Sequence, residues 1–232
     1  MRSVWSGGLA SAVVLFAVST VPALAADAAG TYGFGGPWQG VYLGLNGGGG
    51  WETAANTYGK DGSAAPGIKG NGWVAGGQVG YNWQYANFAV IGLEARADYA
   101  AIKGNVADSF DPGGGMGTQN VTDTATINEL GDFRAKVGFA IGPVMPYFAG
   151  GVAIGRASFD VTGDMTGNAS KTFTGWTAGG GAEFALTPHW SLLADFSYYD
   201  LGTQNFMVPG PGGGTNVHLT ASTVTGGLNL RW

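Results

Sequence analysis

The chain has 232 residues, 45 glycines, eight tryptophans and no cysteine, and only 11% of its residues are charged. The lack of cysteine excludes disulfide scaffolds, thiol catalysis and cysteine-ligated metal sites. A net charge of -5, with only 10 lysines and arginines along the chain, argues against nucleic-acid binding. Aromatic residues make up 12%, and the glycines follow no Gly-X-Y period, which argues against collagen and disordered linkers.

The first 25 residues have the pattern of a secretory signal peptide. Arg2 precedes an apolar run over 9–21, and Ala-Leu-Ala at 23–25 fits the small-x-small motif that signal peptidase reads. An uncleaved membrane helix is disfavoured because the run is shorter than the roughly 20 residues that a span needs. We therefore expect a cleaved signal peptide, a periplasmic N-terminal segment over 26–37 and one folded domain over 38–232.

The rest of the chain alternates between apolar residues and polar or small residues with a period of two. Over 73–85 the apolar face has aromatic residues at both ends, and the opposite face is polar or small. This alternation indicates a strand whose two faces meet different solvents, and it is longer than the usual 5–6 or so residues. The pattern predicts eight strands, over 38–50, 73–85, 88–100, 131–141, 146–158, 174–186, 190–200 and 220–232.

The predicted connections alternate between short and long. Short turns lie near 85–87, 142–145 and 187–189, and long connections cover 52–71, 102–127, 160–172 and 202–217. An even strand count with this alternation and with terminal aromatics is typical of a bacterial outer-membrane barrel. Lipid does not tolerate an open sheet edge, so the sheet must close. We predict an all-β fold, an eight-stranded antiparallel up-and-down transmembrane β-barrel. The alternative is a secreted β-sandwich, which would not explain charged residues on the inner face.

Two sets of side chains follow from this arrangement. Aromatic residues at the ends of the outer face are predicted to lie at the membrane interfaces: Trp38, Trp73, Trp83, Tyr85, Tyr99, Trp176, Trp190, Tyr198 and Trp232. Charged residues on the inner face are predicted to form a lumen charge network: Glu94, Arg96, Asp98, Arg134, Lys136, Glu183, Asp195 and Arg231. The interior of such a barrel is just wide enough for side chains, so these charges must pair or stay hydrated.

Two roles are open for this balanced set of four acids and four bases. The charges can tie the strands together as a structural ion network. They can instead form a gate, in which one of two pairings opens a narrow water path. The inward-facing glycines keep the gate as an alternative, because they leave volume that water could fill. A three-residue turn at 85–87 would place Glu94 opposite Gln78 and Arg96 opposite Gly76.

The sequence offers no convincing catalytic or metal site. His218 and Ser222 are four residues apart on a strand, about 13 Å, which is too far for a base to activate a nucleophile. The glycine runs at 113–117 and 212–214 lack the Lys-Ser/Thr and the helix of a phosphate loop. The acids of the loops lack the spacing of a calcium loop. We expect no enzyme activity, no metal and no cofactor.

A family resemblance rests on three segments: WQGVYLGLNGGGGW at 38–51, GWTAGGGAEFALTPHWSLLADFSYYDLG at 175–202 and TVTGGLNLRW at 223–232. They resemble OmpA-like outer-membrane barrels, and more closely the porin-family outer-membrane immunogenic protein group. The family usually ends in Phe, and Trp232 keeps a terminal aromatic residue. The resemblance implies a monomeric or weakly oligomeric surface protein of the bacterial cell outer membrane, with structural, antigenic or minor pore roles.

Three functions remain open at this point. The first is a structural surface antigen of a Gram-negative cell envelope, with minor pore activity through the charged lumen. The second is a narrow channel, a porin, for small solutes or ions. The third is an adhesin that binds a host or surface ligand through its loops, with Phe110 and Met116 as anchors in 102–127. The expected partners are outer-membrane lipid and lipopolysaccharide, and the barrel-assembly machinery through the C-terminal strand.

Overall fold

The computed structural model describes residues 37–58, 64–86, 88–110, 119–163, 167–206 and 215–232, so the predicted signal peptide lies outside it. Eight antiparallel strands follow one another and close into a barrel: β1 (Gly40–Tyr58), β2 (Ala64–Tyr85), β3 (Ala89–Phe110), β4 (Gln119–Phe139), β5 (Val144–Gly163), β6 (Gly167–Ala185), β7 (Trp190–Phe206) and β8 (Thr215–Arg231). Pairing of β8 with β1 closes the sheet. The predicted eight-stranded barrel is confirmed. No helix in the described part of the chain is long and apolar enough to cross a membrane.

A belt of exposed apolar side chains covers the outward face of the barrel. On β2 this belt runs from Tyr85, which is 58% exposed, to Trp73, which is 54% exposed. That stretch of tilted strand rises roughly 28–30 Å, close to the thickness of a bilayer core. The three short turns lie at the end of the belt that faces the periplasm in outer-membrane barrels. The other end of the barrel, with the longer strand extensions, is the outer end.

The strands are longer than predicted, and the long connections are correspondingly shorter. Strand residues make up most of the predicted connections 52–71 and 102–127. They also make up parts of the predicted connections 160–172 and 202–217. The physical reason is that the two faces exchange polarity beyond the apolar belt. Lys103 is exposed on the outer face of β3 there, and its neighbour Ile102 is buried inside. The barrel wall continues into water, where an apolar outer face no longer marks a strand.

The turn between β2 and β3 lies one residue later than predicted, at 86–88. Glu94 therefore lies opposite Gly80 and Arg96 opposite Gln78, each two residues from its predicted partner. A shift of two residues keeps every side chain on the same face. The predicted cross-strand partners of Glu94 and Arg96 are therefore wrong, whereas their predicted position on the inner face is the observed one.

The barrel interior has apolar layers at both ends and charged residues between them. The outer layer, here called the outer apolar plug, comprises Ala54, Ile68, Val74, Ala100, Ile102, Ala125, Ile127, Leu130, Ala153, Ala157, Phe173, Tyr199, Leu201, Val217, Leu219 and Ala221. The layer at the short-turn end, here called the periplasmic cap, comprises Trp38, Val90, Met145, Tyr147, Ala149 and Leu193. The eight charged side chains predicted for the lumen lie between these two layers.

Candidate functional site

All eight charged side chains predicted for the lumen are buried, with residue exposures of 0 to 6%. The period-two geometry of the strands accounts for this, because alternate residues of each strand point into the closed barrel. Which charges then meet depends on the register between strands and on the width of the lumen.

Arg134 on β4 lies at the centre of the lumen charge network. Its Nη2 atom lies 2.6 Å from Glu94 Oε1 and 3.1 Å from Asp195 Oδ2. Glu94 is its direct cross-strand neighbour on β3, whereas Asp195 belongs to β7 on the other side of the lumen. Arg96 reaches the same aspartate, with Nη1 3.0 Å from Oδ1. These ion pairs link β3, β4 and β7 across the barrel.

Hydroxyl groups complete the coordination of the two central carboxylates. Tyr42 donates a 2.6 Å hydrogen bond to Glu94 Oε2. Tyr147 donates to Asp195 Oδ2 at 2.6 Å, and Ser197 donates to Oδ1 at 2.7 Å. Buried charges are tolerated when ion pairs and hydrogen bonds together satisfy them, and both carboxylates meet that condition.

A second cluster lies nearer the periplasmic cap and is joined to the first through Lys136. The Lys136 ammonium lies 3.0 Å from Glu94 Oε2 and 3.1 Å from Glu183 Oε1. It also lies 4.4 Å from the ring centroid of Tyr147. Arg231 Nη2 approaches the other oxygen of Glu183 at 3.0 Å. The cluster links β4, β6 and β8, so the two clusters together connect most of the barrel wall.

Asp98 is the predicted network member that the structure places apart from the ion pairs. Its Oδ1 accepts a 2.9 Å hydrogen bond from Asn46 Nδ2, and none of the described bases forms an ion pair with it. Asn46 also donates to Gln78 Oε1, which belongs to an amide chain that continues to Asn229 on β8. Asp98 is therefore held by the neutral amide of Asn46.

Sequence reasoning missed two buried acids, so the predicted balance of charges is wrong. Asp132 shares the parity of Arg134 on β4 and accepts a 2.9 Å hydrogen bond from Tyr199, so the alternation could have identified it. Glu52 fell within a predicted connection and is in fact buried on β1. Among the described residues, the lumen holds six buried acids, these two included, against four buried bases.

Glu52 lies just beyond the apolar belt, which ends on β1 at the exposed Trp51. Its side chain is buried, and neither carboxylate oxygen has a hydrogen-bond partner among the described residues. Burial raises the pKa of Glu52 from 4.5 to about 7, because a carboxylate loses hydration there. The proton is therefore held more tightly in the folded barrel than in the unfolded chain.

Aromatic residues form a ring at each end of the apolar belt. At the outer end the rings of Trp73 and Tyr99 lie 5.6 Å apart, as do those of Trp176 and Tyr198. Exposed aromatic residues at the short-turn end include Trp83, Tyr85, Trp190 and Trp232. Trp51 is a further exposed ring at the outer end, which the sequence analysis missed because it ended that strand at residue 50.

Trp38 does not lie at the membrane interface, and its assignment to the interface aromatics is wrong. The residue is 0% exposed, and the Arg231 guanidinium lies 4.9 Å from the centroid of its ring. Its backbone N–H donates to Gln84 Oε1 at 3.0 Å. Gly40, with a φ of 122°, starts β1 two residues later, so Trp38 precedes the barrel wall and folds over its periplasmic mouth.

Inward-facing glycines make room for large neighbouring side chains, contrary to the expectation that supported a gate. A Cβ added at Gly80 would overlap the ring of Tyr42. A Cβ added at Gly155 would overlap Leu201 of the outer apolar plug. The space beside these glycines is therefore occupied by protein atoms.

At the outer end of β7 and β8, His218 Nε2 lies 3.1 Å from Asp200 Oδ1. Ser222 is opposite Tyr198 in the register, four residues along β8 from His218. Among the described residues, no group of three or more His, Asp or Glu side chains is placed to hold a metal ion.

A closed barrel with an apolar belt, aromatic rings at both ends and a charged interior defines a transmembrane barrel of the bacterial outer membrane. The chain belongs to the outer membrane protein beta-barrel domain family, whose model matches residues 11–231. The predicted family resemblance and outer-membrane location are confirmed.

Two relatives illustrate the similarity. The 31 kDa outer-membrane immunogenic protein of Brucella melitensis is 31% identical over 183 residues, 73% of this chain and 74% of that protein. The 25 kDa outer-membrane immunogenic protein of Brucella abortus is 31% identical over 173 residues, 75% of this chain and 70% of that protein. Among solved structures, Ail of Yersinia pestis matches 84% of this chain and 99% of its own, at 15% identity and a TM-score of 0.42.

Proposed function

We propose that this outer-membrane barrel has a structural and surface-display role, with a lumen that is closed to solutes. The observation that supports this proposal is the outer apolar plug, which packs buried residues from all eight strands above the charge network. An aqueous path through the barrel would have to cross this apolar layer as well as the charged layers. The same observation weighs against the channel as the main function.

The geometry of Arg134 supports a structural role for the network over a gate. A gate needs a second pairing of similar energy. Moving the Arg134 guanidinium would remove a cation from both Glu94 and Asp195 at once. Breaking a buried ion pair on one side costs about 3–5 kcal/mol, so a second pairing that does so would be scarcely populated.

The proposal includes the absence of enzyme activity and the partners expected from the sequence. His218 contacts an aspartate, and the register gives it no serine neighbour, so a hydrolase site is not supported. Trp232 directly follows β8 and is exposed, which suits recognition by the barrel-assembly machinery. Host-ligand binding through the loops stays a prediction, because Met116 and the side chain of Phe110 lie outside the described residues.

Planar-bilayer conductance of the refolded protein tests the closed lumen. A heat-dependent gel shift confirms folding, and a wide porin in the same bilayers confirms sensitivity. We expect no discrete current steps from the folded protein, because the plug and the periplasmic cap exclude water. Regular, salt-dependent steps would contradict the proposal and favour the narrow channel.

Arg96→Ala separates a gate from a structural network. We expect this variant to remain silent and to unfold more readily, since Asp195 loses one cation while the plug stays in place. Current steps that appear in Arg96→Ala and not in the natural protein would show that the network gates a path.

A further inference from the structure

Two lysines stand close together on the outer wall of the barrel, just beyond the apolar belt. Lys69 on β2 and Lys103 on β3 are both exposed at outward-facing positions. Lys103 lies directly opposite Asn71, and Lys69 is the next outward position of β2 beyond Asn71. Diagonal neighbours of this kind lie about 7–8 Å apart, so both ammonium groups can reach one ligand. We call this pair the basic patch.

The described cross-strand neighbours of the basic patch carry no charge that compensates it. Cross-strand neighbours are Thr53 for Lys69, and Asn71 and Thr126 for Lys103, all of them neutral. None of the described carboxylates forms an ion pair with either lysine. Like charges that lie directly opposite each other destabilise a sheet, and two lysines in diagonal positions also repel each other unless an anion lies between them.

Arg156 gives a contrast on another part of the same wall. It is exposed on the outward face of β5, also beyond the belt, and it lies opposite the exposed Glu129 of β4. That base therefore has an acid beside it, as the acidic balance of the chain would lead one to expect.

The circle of aromatic residues at the outer end of the belt shows where the basic patch lies relative to the membrane surface. Trp73 and Tyr99 form a contact at 5.6 Å on the same two strands, and Lys103 opposite Asn71 is the next outward pair above Trp73. Tryptophan and tyrosine sit at the level of the lipid headgroups. Lysines one step further out can extend their ammonium groups to headgroup phosphates while their stems stay against the wall.

We propose that Lys69 and Lys103 bind the phosphate groups of a phosphorylated glycolipid in the outer leaflet of the membrane. Their charge, separation and height carry the proposal, together with the absence of a described carboxylate partner. The site is on the outer wall and is independent of whether the lumen conducts ions.

Lipid binding to the protein in nanodiscs of zwitterionic lipid tests this site. Native mass spectrometry would compare the retention of bisphosphorylated lipid A with that of dephosphorylated lipid A. We expect the natural protein to prefer the phosphorylated form. We expect Lys69→Gln/Lys103→Gln to bind it roughly 30-fold more weakly and to lose the preference, from the usual contribution of two lysines near an anionic surface.

Arg156→Gln is the matched control, because it removes a base that lies on the same outer wall but has an acid opposite it. This variant should keep the preference for the phosphorylated lipid. Retention of the preference in the double lysine variant would overturn the proposal, and equal loss in Arg156→Gln would show a diffuse charge effect instead of a site. Displacement of the lipid by the same concentration of inorganic phosphate would overturn its assignment to a lipid headgroup.

Discussion

Glu52 shows at the scale of one residue how burial alone changes the chemistry of a carboxyl group. No charged neighbour contributes to its raised pKa, and the cause is loss of hydration inside the outer end of the barrel. The folded state holds this proton more tightly than the unfolded chain. Its contribution to stability is therefore fully present below about pH 4.5 and is lost as the pH rises through about 7.

Glu52→Gln should remove this pH dependence. We expect the natural barrel to lose about 3 kcal/mol of unfolding free energy between acidic and mildly alkaline pH through this group. The variant should be the more stable protein at alkaline pH, because a neutral amide replaces a buried charge without a partner. Urea unfolding in lipid vesicles across this range measures both proteins, and equal slopes for the two would contradict the assignment.

Arg134 is the residue on which the central ion pairs depend. Arg134→Met should destabilise the barrel by about 3–5 kcal/mol, because it leaves Glu94 and Asp195 short of a cation in a buried site. Adding Glu94→Gln to this variant should recover part of the loss by removing one uncompensated charge. Urea unfolding of the two single variants and the double variant measures the coupling, and strictly additive losses would argue against a coupled network.

At the scale of one strand, the outward positions of β3 pass from lipid to water. Leu93 faces lipid in the apolar belt, and Asn105 faces outward on the same strand beyond it. Leu93→Arg should cost about 2–4 kcal/mol, whereas Asn105→Arg should cost about 0–1 kcal/mol. Unfolding in vesicles compares the two variants, and equal costs would mean that the belt is misplaced along β3.

The strands also show where sequence patterns lose their information. Within the apolar belt the alternation identified all eight strands and the face on which each charge lies. Beyond the belt the inner face becomes apolar and the outer face polar, as Ile102 and Lys103 show on β3. Because an apolar outer face was the signal for a strand, the predicted strands stop at the end of the apolar belt. Glu52 lies beyond that point and was therefore assigned to a connection.

At the scale of the whole molecule, the interior behaves as one packed column. The outer apolar plug lies above the charge network, and Tyr199 contributes to both, through its packing and through its hydrogen bond to Asp132. Protein interiors are close-packed, so a loss in one layer should lower the stability of the whole barrel.

Phe173→Ala tests the packing of this column. Phe148→Ala is the control, because it makes the same substitution on the lipid-facing side of the wall. Phe173 is fully buried in the plug, whereas Phe148 is 75% exposed on the lipid face. Phe173→Ala should cost about 3–5 kcal/mol and leave the bilayer current at zero, because the charge network and the cap remain. Phe148→Ala should cost clearly less in urea unfolding, and a similar loss for both would show that the plug is loosely packed.

The sequence by itself determined the closed antiparallel barrel, the lipid-facing side chains and the inward direction of the eight predicted charges. Period-two alternation reports on faces, and lipid demands a closed sheet. Tertiary structure alone decided which charges meet: Arg134 contacts Asp195 across the lumen because curvature brings β4 and β7 together. Tertiary structure also decided that Trp38 turns inward and that an apolar plug lies beyond the charges. The spacing of residues along one strand does not show where the chain turns back over the barrel or which side chains it meets on the far side of the lumen.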